Sequence, residues 1–205
     1  KNYLIAIDKS KEPNYNITVL YERSGLMNEA GKTTLEKILA CALSEFSAKG
    51  FRLASLRNIV KEAGVTTGAF YGYFKSKEEL FDALVKEKYD VFTGMYKATQ
   101  EEFAALPDEQ QLISMGELSG ECLERMMEYA YEYKEIFRLL LCSSEGTRYE
   151  NMVHEMVEIE VEATHAFAHV MKRKGKKEYS VDPTLEHILV SGMFTSFFEM
   201  VIHDM

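Results

Sequence analysis

The sequence has 205 residues, of which 46% are hydrophobic and 28% charged, and a formal net charge of −9. This balance excludes an intrinsically disordered chain and is typical of one globular domain or two small ones. No window approaches 18 uncharged apolar residues, and the first residues show no basic segment before an apolar run. We therefore predict neither a membrane span nor a secretory signal.

The first 30 residues contain two stretches rich in β-forming residues, 3–7 and 17–21, around a turn-like segment with Pro13. A small hairpin and an extension that packs on the body or on a partner both fit this pattern, because an isolated hairpin is only marginally stable. We treat residues 1–30 as an extension whose structure the pattern leaves open.

A helical pattern begins at Thr33, which forms a predicted capping box with Glu36. Apolar residues then recur at helical spacing from Leu35 to Phe46. Gly50 predicts the end of this helix, since glycine readily takes the positive φ found at helix C-termini.

Two short helices follow. Ser55 is the predicted N-cap of the first, the pair Gly64-Val65 breaks it, and Thr66 begins a second that runs to about Tyr73. Two short helices around a glycine turn are typical of a helix-turn-helix, in which the second helix enters the major groove of a nucleic acid.

The rest of the sequence also reads as helices. A second capping box, Ser76 with Glu79, opens a long helix that ends at residues 106–108. Further helices are predicted at roughly 109–132, 134–144, 149–174 and 183–204. The pattern leaves open whether another helix follows Met205.

Positive charge is concentrated around the two short helices. Residues 49–77 contain six Lys and Arg against Glu62 alone, a net charge of +5, which leaves −14 for the remainder. A basic segment on an acidic body indicates an electrostatic footprint for phosphate.

The run from Ser55 to Leu80 resembles the N-terminal domain of the TetR/AcrR family of bacterial regulators. The resemblance rests on Gly64, Tyr71, Phe74, Lys77 and both capping boxes at fixed spacing, and it covers residues 33–85 closely. It implies an all-α fold with a three-helix DNA-binding domain (residues 31–78) and a helical ligand-binding and dimerisation domain (residues 79–205).

The resemblance also implies DNA contacts. Ser55 and Lys77 would hold phosphates from helix starts, and Arg57 would reach a phosphate or a base. Ala69 stands where the family often has Thr, so it offers a methyl contact but no hydrogen bond. The predicted DNA-binding residues are Ser55, Arg57, Thr66, Thr67, Gly68, Ala69, Tyr71, Tyr73 and Lys77.

The expected function is a sequence-specific DNA-binding regulator, a repressor relieved by a small apolar or amphipathic ligand. The family implies a homodimer on a pseudo-palindromic operator, with a dimer seam in the last two long helices. Methionine and aromatic side chains form adaptable apolar cavities, and ordinary core packing is the alternative for each of them. The pocket residues predicted on this basis are Met115, Met126, Phe137, Met156, Phe194 and Phe197.

Other classes of function find little support. The sequence contains no H-E-x-x-H, G-x-S-x-G, P-loop or C-x-x-C motif, so we expect no enzyme and no cofactor. His165 and His169 share a helical face, but this spacing is common and we predict no metal. The three cysteines indicate a reducing cytoplasm. A helical small-molecule-binding or protein-interaction protein without specific DNA binding remains the alternative.

Overall fold

The structure, a computed structural model, describes residues 33–176, 181–203 and 205, and in these ranges every regular element is a helix. The predicted all-helical fold class is confirmed. The pattern predicted for residues 1–30 lies outside the described residues. The helices are α1 (Thr34–Leu53), α2 (Leu56–Glu62), α3 (Thr67–Tyr73), α4 (Lys77–Ala105), α5 (Asp108–Glu132), α6 (Lys134–Cys142), α7 (Met152–Arg173) and α8 (Pro183–His203).

The first helix is interrupted where the sequence predicts its end. Gly50 has φ +71° and ψ 161°, and one further turn runs from it to Leu53. Phe51 in that turn packs with Phe46 and Phe81, at ring-centroid distances of 5.8 and 5.4 Å. The interruption therefore returns Phe51 to the core of the N-terminal domain, a geometry that glycine adopts at little steric cost.

One of the two predicted capping boxes is complete. Thr33 Oγ1 accepts a hydrogen bond from the Glu36 N–H, and the Thr33 N–H donates to the Glu36 carboxylate at 2.6 Å. The second box is wrong in its return bond: Ser76 Oγ accepts from the Glu79 N–H, but the Glu79 carboxylate accepts from the Lys75 N–H. The two caps differ in φ, which is −66° at Thr33 and −153° at Ser76.

The body is a bundle in which α4 packs on α5 and α7, and α8 packs on α6 and α7. Phe92 of α4 lies at its centre, 4.8 Å from the ring of Phe137 and 6.2 Å from that of Phe197. This core orders the long helices, whose own propensity would not fix their packing.

One side of α8 is apolar and exposed. Leu185, Ile188 and Leu189 are 49%, 59% and 60% exposed. By length and composition α8 is the one helix of the described residues that is apolar enough to cross a membrane, and 28% of its apolar window is buried. The search for an uncharged apolar run of about 18 residues in the sequence did not find this helix, because α8 contains Glu186 and Glu199.

The loop between α6 and α7 joins the body to the N-terminal domain. The Phe51 N–H donates to the Ser143 carbonyl at 2.8 Å, next to the Gly50 interruption. Two surface ion pairs lie beside this bond, Arg52 with Glu145 at 2.6 Å and Arg148 with Asp82 at 3.1 Å. The end of α1 and the first turns of α4 are thus held by the same nine-residue connection.

Candidate nucleic-acid interface and internal cavity

The α2-turn-α3 unit is held from beneath by four buried apolar side chains, Ile59, Ala63, Phe70 and Phe74. Helices of seven residues are unstable alone, so this packing is what orders them. The turn is closed by Gly64 at φ +66°.

The opposite side of α3 is open to solvent. Thr66 caps the helix, its Oγ1 accepting from the Ala69 N–H at 3.1 Å. Tyr71 and Tyr73 are 55% and 47% exposed. The predicted DNA-binding residues that the structure leaves exposed are Arg57, Thr66, Thr67, Gly68, Ala69, Tyr71 and Tyr73.

The two residues predicted to hold phosphates from helix starts are engaged inside the domain. Ser55 Oγ caps α2 by accepting from the Asn58 N–H. The Lys77 ammonium donates to the carbonyls of Phe51, Arg52 and Ala54, at 2.7, 3.2 and 3.3 Å. The Ser55 hydroxyl hydrogen can still donate outward, whereas the Lys77 ammonium satisfies the carbonyls at the end of α1.

The basic segment is less available than its sequence count indicates. Three of its six cations have acidic neighbours: Lys49 with Glu45 at 2.8 Å, Arg52 with Glu145 at 2.6 Å and Lys61 with Glu62 at 4.0 Å. With Lys77 turned inward, Arg57 and Lys75 are the exposed cations of this segment for which the described residues provide no ion pair. The sequence analysis counted Lys75 in the basic segment but did not include it among the predicted DNA contacts, although it lies two residues after the end of α3.

A partly open cavity of about 390 Å³ lies between α4, α5 and α7, and Met193 of α8 also lines it. Its wall is mostly apolar, with a polar group at Glu160, whose Oε2 accepts from the Tyr96 hydroxyl and from Gln100 Nε2. The lining residues are Tyr96, Thr99, Gln100, Phe103, Met115, Leu118, Ser119, Cys122, Leu123, Glu160, Ala163, Thr164, Phe167, Ala168, Met171 and Met193.

Of the six predicted pocket residues, Met115 lines this cavity. The other five, Met126, Phe137, Met156, Phe194 and Phe197, are buried in the core and are not part of the wall. Phe194 lies one layer behind it, with its ring 5.6 Å from that of Tyr96. Composition identified apolar side chains but could not separate those that fill space from those that border it.

The signal for the cavity was the small side chains on one face of α7. Thr164 and Ala168 are four residues apart, Ala163 lies beside Thr164, and all three line the cavity together with Tyr96 and Phe103 of α4. Small residues that face large ones leave a cavity only where the helices are held apart. The pattern therefore predicts a cavity only once the packing of the helices is known.

Burial sets the proton affinities at the polar end of the cavity. It raises the pKa of the Glu160 carboxyl above its ordinary value, against the opposing effect of the Tyr96 and Gln100 hydrogen bonds. Burial, together with the neighbouring Glu160 charge, also raises the pKa of Tyr96. At neutral pH the tyrosine is therefore a hydrogen-bond donor, which suits the observed bond.

The two histidines that share a face of α7 do not form a pair. His165 Nε2 lies 2.7 Å from the carboxylate of Glu186 at the start of α8, and Glu186 is 3% exposed. Within the described residues, no cluster of three or more His, Cys, Asp or Glu is arranged to hold a metal ion.

Comparison with known proteins gives a consistent result for the N-terminal domain. Residues 38–84 match the family model of bacterial regulatory proteins of the tetR family. The chain is 41% identical over 61 residues to the uncharacterized HTH-type transcriptional regulator YdgC of Bacillus subtilis. The matched segment is 30% of this chain and 31% of the relative. The chain is 35% identical over 83 residues to the HTH-type transcriptional regulator RutR of Escherichia coli, covering 40% and 39%.

These matches cover less than two-fifths of the length of the curated relatives. Beyond them the likeness is structural. A Clostridium perfringens protein described as a fatty acid metabolism regulator is similar over 82% of this chain and 85% of its own, with a TM-score of 0.52 at 19% sequence identity. At that identity the comparison establishes the fold, including the helical body.

Proposed function

We propose that the chain, whose residues 38–84 match the family model of bacterial regulatory proteins of the tetR family, is a sequence-specific DNA-binding transcription regulator of that family. The proposed activity is repression relieved by a small amphipathic ligand. The observation that carries the proposal is α3, which rests on buried Phe70 and Phe74 while its other side chains are open to solvent. A short helix presented in this way fits the major groove.

In this proposal the contacts divide by chemistry. Arg57 and Lys75 neutralise phosphates, and the Ser55 hydroxyl donates to a third. Thr67 and Tyr71 reach base edges, and the Ala69 methyl packs on a thymine methyl. Thr66, Gly68 and Tyr73 lie close to the DNA backbone. Because few donors point outward, we expect part of the specificity to come from DNA shape.

We propose a homodimer built on α7 and α8. The exposed apolar face of α8, with Leu185, Ile188 and Leu189, is the surface whose burial would stabilise such a dimer. Two recognition helices about 34 Å apart then read the two halves of a pseudo-palindrome. The residue ranges 31–78 and 79–205 remain our proposed DNA-binding and ligand domains.

We propose that the cavity between α4, α5 and α7 holds the effector. Its wall includes α4, which begins in the DNA-binding domain at Lys77 and reaches the cavity at Tyr96. A ligand that favours one tilt of α4 shifts the population of dimers away from the spacing that fits DNA. The proposal involves no catalytic step, cofactor or metal, and it places the protein in the cytoplasm.

The test is fluorescence anisotropy with DNA from upstream of the gene, at several salt concentrations. Binding should weaken with salt, and Arg57→Ala should lower the affinity and reduce the log–log salt slope by about 1. Lys97→Ala is the matched control, because Lys97 is an exposed cation on the body, on α4. Tyr71→Ala should weaken specific binding and leave the oligomeric state unchanged.

Two results would overturn the proposal. Binding that does not depend on salt contradicts a phosphate grip. A folded protein that binds no DNA even at low salt favours the alternative, a helical small-molecule-binding or protein-interaction protein.

A further inference from the structure

The cavity contains one charged group that the protein leaves without a counterion. Glu160 is the only Lys, Arg, His, Asp or Glu among the described residues that line it. Both of its hydrogen bonds, from the Tyr96 hydroxyl and Gln100 Nε2, arrive at Oε2. Oε1 accepts no hydrogen bond, and no ion pair joins Glu160 to a cation in the described part of the chain. Arg125 does contact a wall residue, since it donates to Thr99 Oγ1 at 3.4 Å, but this bond is exposed and does not involve Glu160.

Glu160 is partly buried, and its Oε1 is not among the buried side-chain atoms that have no hydrogen-bond partner, so this oxygen is accessible to an occupant of the cavity. A carboxylate withdrawn from water is destabilised unless a positive charge or several hydrogen bonds compensate it. Burial accordingly raises the pKa of Glu160. A carboxylate ligand would add a like charge at short range, whereas a cation would offset the existing one.

The remainder of the cavity sets the shape of its occupant. The wall beyond Glu160 is mostly apolar, with methionine, leucine and aromatic side chains and three hydroxyl groups, and Phe103 and Phe167 are in edge contact at 5.4 Å. The hydroxyl groups belong to Thr99, Ser119 and Thr164. A volume of about 390 Å³ holds about a dozen non-hydrogen atoms, scaled from the ~30 Å³ that one water occupies in the liquid. The occupant is therefore small, mainly apolar and polar at one end.

We propose that the cavity binds an amphipathic monocation, a molecule with an apolar body of about a dozen non-hydrogen atoms and one cationic nitrogen that pairs with Glu160. The proposal rests on the proposed function, since it assigns the chemistry of the effector. The nitrogen donates to Oε1 while Tyr96 and Gln100 hold Oε2, and the apolar body extends between α5 and α7 towards Met115 and Met171.

The test is isothermal titration calorimetry on the full chain at pH 7.5 with decylamine, decan-1-ol and decanoate, each below its micelle-forming concentration. The three probes share a ten-carbon chain and differ in the charge of the head. We expect decylamine to bind at least tenfold more tightly than the other two. In Glu160→Gln the amine should fall to the affinity of the alcohol.

The matched control is Glu162→Gln, which removes the same charge from an exposed position on the same helix. It should bind decylamine as the wild type does, and a loss there would show general attraction of a cation to an acidic protein and overturn the proposal. Decanoate or decan-1-ol binding the wild type as tightly as decylamine also overturns it, as does an unchanged amine preference in Glu160→Gln. If that variant does not fold, the three-probe comparison in the wild type still decides.

A DNA-binding measurement separates this inference from the proposed function. Salt-dependent DNA binding without an amine preference refutes the ligand class alone. An amine preference that depends on Glu160, in a protein that binds no DNA, leaves the cavity assignment standing and refutes the regulator.

Discussion

Lys77 gives the sharpest test of the architecture, because the family resemblance and the structure assign its ammonium different partners. In the structure it donates to three carbonyls, the shortest bond at 2.7 Å to Phe51, and lies 4.5 Å from the centre of the Phe51 ring. Hydrogen bonds to a charged group contribute about 1.5–3 kcal/mol, and a partly exposed cation–π contact about 0.5–1 kcal/mol. Because one ammonium shares the three bonds, we expect Lys77→Met to destabilise the protein by about 2–3 kcal/mol.

For a chain of this size, that loss lowers the melting temperature by about 4–12 °C. Thermal unfolding followed by circular dichroism measures it, with Lys75→Met as the control, since Lys75 is exposed and its side chain makes no described contact. Lys75→Met should leave the melting temperature within about 2 °C of the wild type. If the two variants melt together, and Lys77→Met instead reduces the salt slope of DNA binding by about 1, then Lys77 acts on phosphate and our reasoning is refuted.

Further predictions concern the turn, the cavity wall and its carboxyl group. Gly64→Ala should lower the free energy of unfolding by roughly 1–2 kcal/mol, because Gly64 has a positive φ. Gly68→Ala should not lower stability, because Gly68 lies in a helix with open space around it. Reduced DNA affinity in Gly68→Ala would show that this residue approaches the DNA backbone closely, and unchanged affinity would remove it from the interface. Phe137→Ala should lower the free energy of unfolding by about 3–5 kcal/mol, and Met115→Ala by under about 1 kcal/mol. At a temperature where both variants are folded, only Met115→Ala should weaken binding of the decylamine probe. If denaturant melts show Met115→Ala to be the less stable variant, the assignment of Phe137 to the core and Met115 to the wall is contradicted. The pKa of Glu160 is raised in the folded protein, so its ionisation destabilises the fold as pH rises from about 4.5 through that pKa. The melting temperature of Glu160→Gln should therefore exceed that of the wild type at pH 7.5 but not at pH 4. An equal difference in melting temperature at the two pH values would contradict burial as the cause.

The starts of the first four helices were predictable because each is set by a hydrogen bond between residues close in the sequence. Thr33, Ser55, Thr66 and Ser76 each accept a hydrogen bond from the amide three residues ahead, and each stands at the helix start that the sequence indicates. These bonds need only neighbouring residues, so pattern reasoning finds them. The return bond from Glu79 was not predictable, since it depends on the backbone angles of Ser76.

The candidate sites depend on contacts between distant residues, which spacing does not reveal. Lys77 contacts the end of α1 about two dozen residues earlier in the chain, and Glu160 meets Tyr96 across 64 positions. Nothing local indicates that the Lys77 ammonium turns inward while that of Lys75 does not, or that Glu160 rather than Glu162 lines the cavity. Exposure of α3 was predictable from its small and polar residues, whereas the division of apolar residues between core and cavity wall was not.

Because α4 is long, a small rotation at its cavity end displaces its first turn, near the helix-turn-helix, by a larger distance. From Tyr96 at the cavity to Lys77 at its first turn, α4 rises about 28 Å at 1.5 Å per residue. If α4 turns as a rigid rod about its cavity end, a rotation of about 5° carries that first turn about 2.5 Å sideways. In the proposed two-fold symmetric dimer the two displacements are in opposite directions, so the distance between the two recognition helices changes by up to about 5 Å. The spacing of successive major grooves on one face of DNA is about 34 Å. In the proposed dimer, an effector of about a dozen non-hydrogen atoms would therefore need to move the cavity wall very little to take both α3 helices out of register with the DNA.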